Sequence, residues 1–137
     1  MNHSPSDSPQ NVNRLIGLVL CIFATAVCIA YAFFRASLPD WWRHHGGGIP
    51  YVVFWITFLI MFFPSRKTIL PICIGATLVT CALEFMQLWK PDWLAHFRAT
   101  RFGAALLGSE FVWNDIPPYV LGGVIGFFVL WFAVRRR

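Results

Sequence analysis

Residues 69–89 read ILPICIGATLVTCALEFMQLW, from Ile69 to Trp89. As a helix the run is about 30 Å long, enough to cross the hydrocarbon core of a bilayer, and it carries a single charge, Glu84. It is not apolar all round. Thr77, Thr80, Cys81, Glu84 and Gln87 recur at helical spacing and form one polar stripe. Lipid cannot satisfy such a stripe, so it faces the interior of a helix bundle. An acid held at membrane depth is costly and marks a functional position by default. The plainer alternative is packing glue, with Glu84 hydrogen-bonded to a neighbouring helix.

Three further apolar runs surround this one. Leu15–Phe34 is free of charge and about 30 Å long as a helix. Ile49–Phe63 reaches only about 22 Å, short for a span unless neighbours and interfacial aromatics help, with Pro50 suited to its first turn. Ile116–Val134 is the last. The expected fold is therefore all-α and integral to a membrane, a bundle of four transmembrane helices over about residues 15–34, 49–63, 69–89 and 116–134. Residues 15–137 read as one domain, and residues 1–14 as a disordered polar N-terminus. Arg35–Gly48 and Lys90–Asn114 read as loops, and Pro64–Lys67 as a tight basic turn.

Composition agrees. The chain is 58% hydrophobic and only 12% charged, against about 25% charged in soluble domains. Its net charge of +5 does not point to nucleic acid, because no basic patch interleaved with stacking aromatics lies outside the spans. The basic ends look instead like topology signals and clamps on anionic headgroups. Arg14, Arg66, Lys67, Arg135, Arg136 and Arg137 fall on one side of the membrane; Arg35, Arg43, Lys90, Arg98 and Arg101 fall on the other. The first set clusters tightly at span ends, which makes that side cytoplasmic and both termini internal. Trp41, Trp42, Trp89, Trp93 and Trp113 then line the outer rim as an anchoring belt. Cys21, Cys28, Cys73 and Cys81 all sit inside spans, with no metal-ligand spacing, so neither a zinc site nor a disulfide framework is expected, and no cofactor.

The remaining polar chemistry gathers at the outer side. Asp115, Tyr119, Gly122 and Gly126 share one face of the fourth span. Gly122 and Gly126 form the small-xxx-small pattern that brings two helices close, which turns Asp115 inward; Asp115 also suits a helix cap ahead of Pro117. If Arg98–Arg101 is one helical turn, its two guanidinium groups project to one side, where one can pair Glu84 or Asp115 and the other can hold an anion. The plainer alternative is two headgroup-snorkelling arginines. His44 and His45 precede Gly46, Gly47 and Gly48, which suggest a tight turn or an anion-binding nest. Glu84 and Asp115 are thus the candidate acid–base residues, and Gln87, Arg98, Arg101, His44 and His45 the candidate binding residues.

These residues carry a resemblance. Glu84-Phe85-Met86-Gln87, Trp93-Leu94, Arg98-Ala99-Thr100-Arg101-Phe102-Gly103, Leu107-Gly108-Ser109, Trp113-Asn114-Asp115, Tyr119 and Gly122 resemble the bacterial membrane family known as domain-of-unknown-function family 2809, over about residues 43–126. More loosely, the acid and glutamine of the third helix, the loop arginine and the aspartate entering the fourth are similar to the VanZ-like superfamily. That superfamily is associated with tolerance to the glycopeptide teicoplanin and, by conjecture, with envelope glycan or lipid chemistry. The pattern differs in two places: Gly47-Gly48-Ile49 stands where the family often has an acid, and Ala95-His96 where it often has an aspartate. The resemblance implies a bacterial inner-membrane location, membrane lipids as partners, and a lipid-linked glycan or phosphate-bearing envelope molecule as substrate.

Two readings follow. In one, the outer-face groups converge around an open pocket and act on an anionic envelope molecule. In the other, they satisfy one another completely, and the protein is a non-catalytic structural or partner-binding subunit.

Overall fold

A computed structural model describes residues 14–107 and 112–135. The predicted disordered N-terminus up to residue 13, Gly108, Ser109, and the last two arginines lie outside the described residues. The helix α1 runs Arg14–Phe34 and continues as a 3-10 turn, Arg35–Ser37. The short α2 is Asp40–His45, α3 is Gly48–Phe62 and α4 is Arg66–Met86. Then come α5, Asp92–Ala99, α6, Arg101–Leu107, and, after a 3-10 turn at Trp113–Asp115, α7, Ile116–Arg135. The fold is all-α, and four helical segments are long and apolar enough to cross a membrane: Arg14–Ser37, Asp40–Phe62, Arg66–Met86 and Trp113–Arg135.

The second span is not short after all. The predicted loop Arg35–Gly48 contains α2, and α2 leads into α3 almost without a break. Gly46 and Gly47 both have right-handed helical backbone, with φ of −63° and −64°, so the glycines form neither a sharp turn nor a nest. Local chemistry explains α2. Pro39 and Asp40 open it, Asp40 pairs with Arg43 at 3.0 Å one turn on, and Arg43, His44 and His45 occupy its last turn, where the helix dipole favours cations. The Tyr31 hydroxyl of α1 sits on the carbonyls of Trp42 and Arg43, at 2.7 and 3.0 Å, tying α1 to this extension.

Although its own helix is the shortest of the four, α3 is central and packs on α1, α4 and α7. Val52, Ile56 and Ile60 are wholly buried on it, against Ile69, Cys73, Leu130 and their neighbours. The predicted glycine pair makes this possible. A Cβ on Gly122 would stand 2.8 Å from the Ile49 carbonyl oxygen, and one on Gly126 would stand 2.7 Å from Ile56. Only hydrogen at these positions lets α7 approach α3 so closely.

The third span starts and ends about a turn earlier than residues 69–89. Ser65 caps α4 by accepting from the Lys67 amide at 3.3 Å, so Arg66 and Lys67 belong to the helix rather than to a turn. Glu84 consequently lies in the last turn of α4, and Gln87 is its C-terminal cap residue.

The predicted long loop Lys90–Asn114 holds the α5–α6 hairpin. Thr100 breaks the helix with extended backbone, ψ 149°. Its hydroxyl donates to the Phe97 carbonyl at 2.7 Å and accepts from the Gly103 amide at 3.0 Å, ending α5 and capping α6. Arg98–Arg101 is therefore not one helical turn.

Candidate functional site

Where α1 ends, α3 begins, α4 ends and α7 begins, the bundle opens into a cavity of about 420 Å³. The polar stripe of α4 delivers Thr80, Glu84 and Gln87 to its wall, all three buried. The α2 extension brings His44 and His45, and the start of α7 brings Asp115 and Tyr119. Five of the seven residues singled out from the sequence thus meet here: Glu84, Gln87, His44, His45 and Asp115.

Glu84 is only 2% exposed and is held by donors. Oε2 accepts from the Tyr119 hydroxyl at 2.8 Å and from Gln87 Nε2 at 3.1 Å; Oε1 accepts from the Val112 amide at 3.1 Å. A carboxylate has about four lone-pair sites, and three are filled. The acid is satisfied by neutral donors, and among the described residues no arginine or lysine pairs with it. It fastens α4, α7 and the segment entering α7 to one another.

Asp115 has a different partner. Its Oδ1 lies 2.6 Å from Nδ1 of His45, a residue 70 positions away. An ionised carboxylate can only accept, so Nδ1 carries a proton, and in the neutral ring Nε2 is then the basic nitrogen. This is the arrangement in which a carboxylate fixes the tautomer and orientation of a proton-transferring imidazole. His45 and Asp115 are partly exposed at the cavity, with side-chain accessibilities of 15% and 22%. Among the described residues no hydrogen bond occupies Nε2 of His45.

The two predicted arginines are elsewhere. Arg98 points its guanidinium at the end of α4, donating to the Met86 carbonyl at 3.2 Å and reaching the Trp89 carbonyl at 3.5 Å. The Met86 carbonyl also accepts from the Trp89 amide at 3.0 Å, and a cation suits this end of the helix dipole. Arg101 begins α6 on the exposed side of the hairpin, because Thr100 turns the chain between the two arginines. Neither borders the cavity.

The cation that does border it is Arg35, in the turn after α1. It makes no hydrogen bond or ion pair among the described residues. From the sequence alone, Arg35 reads as one charge in a topology count. Tyr31 and Tyr51 read as ordinary span residues, and Tyr119 as part of a helix face and of the family pattern. A usable signal was present: the chain has 14 phenylalanines and three tyrosines, and all three tyrosines line this one cavity. Where the default apolar ring is phenylalanine, a hydroxyl marks a polar partner. Tyr51 donates to the Leu106 carbonyl at 2.9 Å and so holds the hairpin over the opening.

Among the described residues, no three His, Cys, Asp or Glu side chains come together to hold a metal ion. Residues 37–123 match the pattern of the family described as a protein of unknown function, DUF2809. The matched segment contains every cavity residue named above except Tyr31 and Arg35. No solved structure matches the chain.

Proposed function

This chain belongs to the family described as a protein of unknown function, DUF2809, and we propose that its cavity binds an anionic membrane-borne molecule and transfers a proton to or from it. His45 is the acid–base residue, Asp115 positions it, and Arg35 holds the anionic group. Glu84, Gln87 and Tyr119 build the wall. This reading moves proton transfer from Glu84, which is already engaged by three donors.

The observation that carries it is the 2.6 Å contact between His45 and Asp115 beside an open cavity. A pair that served only to tie the helices together would have no need of open space beside it. The charge pattern supports an inner-membrane protein with both termini cytoplasmic, which puts the cavity at the outer face. The loose VanZ-like resemblance points to the same side, and to an envelope molecule bearing phosphate or a lipid-linked glycan.

The test is an untargeted comparison of envelope lipids and glycolipids. Cells lacking the gene are complemented with wild type, His45→Gln or Asp115→Asn, with each protein quantified in the membrane. Wild type is expected to restore a lipid species that both variants leave altered. Full restoration by His45→Gln at normal abundance would overturn the acid–base role.

A further inference from the structure

A second cavity, also of about 420 Å³, runs down the bundle between α3 and α4 from the floor of the first. Tyr51, Thr80, Leu83 and Leu106 line both. Beyond them the walls turn apolar: Trp55 and Leu59 on one side, Gly75 and Val79 on the other. From Tyr51 to Leu59 the groove follows about 12 Å of helix. The Tyr51 hydroxyl, bonded to Leu106, marks the place where polar chamber becomes apolar groove.

Gly75 leaves the middle of the groove open. Gly122 and Gly126 exist because a Cβ there would strike another helix, but a Cβ on Gly75 would meet nothing within 4 Å. Glycine inside a helix costs about 0.5–1 kcal/mol relative to alanine, and here no protein atom uses the space it leaves. A third cavity provides the contrast. It lies between α4 and α7, is about 400 Å³, equally apolar, and shares no lining residue with the polar chamber.

Resting on the cavity reading above, we infer that the α3–α4 groove is a chain-binding site. The ligand is a single anionic lipid whose head lies beside Arg35 and His45 and whose hydrocarbon tail lies along Gly75. Continuity of one polar and one apolar compartment is what an amphiphile requires; a free soluble anion would use only the first.

The test uses full-length protein in phosphatidylcholine vesicles containing a trace of phosphatidic acid with a diazirine midway along one acyl chain. After illumination, labelled residues are mapped by mass spectrometry. Phosphatidic acid is expected to label Trp55, Leu59, Val79 and Leu83 several-fold more than Leu70, Ile74, Val120 and Val124 of the α4–α7 groove. Phosphatidylcholine with the same diazirine should label both grooves alike. Gly75→Phe, which places its ring in open space, should remove the preference, and Gly75→Val does the same with a smaller plug should the first fold poorly. In a separate arm, water-soluble glycerol phosphate is tested for protecting His45 from diethylpyrocarbonate. Protection of His45 together with equal labelling of the two grooves would overturn the chain site and leave the cavity reading standing. No protection and no preference would remove both. A preference that survives both Gly75 variants would also overturn the chain site.

Discussion

The Tyr119 hydroxyl donates to Glu84 Oε2 at 2.8 Å and joins the last turn of the third span to the first turn of the fourth, 35 residues apart. Removing it takes one of two donors from a buried carboxylate oxygen and leaves Gln87 alone there. Tyr119→Phe is expected to cost about 1–3 kcal/mol, read as a lowered unfolding midpoint in detergent. Glu84→Leu should cost more, since it leaves Tyr119, Gln87 and the Val112 amide without their acceptor. Glu84→Gln keeps an acceptor oxygen and should fall between the two. A Glu84→Leu protein as stable as wild type would show that the acid does not tie these elements together.

His45 and Asp115 should behave as a unit. Either single substitution, His45→Gln or Asp115→Asn, is expected to abolish the lipid phenotype, and the double variant should be no worse. Non-additivity of this kind is the signature of groups acting through one another. Additive, partial losses would mean that the two residues act separately.

Arg98 and Arg101 separate cleanly. Arg98→Ala removes donors from the carbonyls of Met86 and Trp89 and should destabilise the protein by about 1 kcal/mol. Arg101→Ala lies on the exposed side of α6 and should stay within about 0.5 kcal/mol of wild type with the phenotype intact. Loss of phenotype in a stable Arg101→Ala protein would return that arginine to the site.

Gly122→Leu should push α7 from α3, since even one added carbon comes within 2.8 Å of the Ile49 carbonyl. The expected result is little folded protein by size-exclusion chromatography. Gly75→Leu, on the open side of α4, should elute as wild type. Two helix glycines in one bundle would then differ because only one faces a neighbour.

The Gly46–Gly48 run reads as a break because glycine is permissive, yet the α2 capping charges and Tyr31 hold it helical. Arg98 and Arg101 read as neighbours because nothing in their spacing announces that Thr100 will bond both backward and forward. Arg35 reads as a bystander because a charge at a span end has an ordinary explanation.

The four spans, the inward polar stripe and the close-packed glycine face were all legible along the chain. They follow from periodicity and from the cost of polar groups in hydrocarbon, which act within a single helix. Who meets whom at the cavity was not legible. Glu84 finding Tyr119 rather than an arginine, and Asp115 finding His45, depend on how far each helix extends and how it is rotated against the next. Those quantities are set by contacts between helices, and no local pattern in one span encodes them.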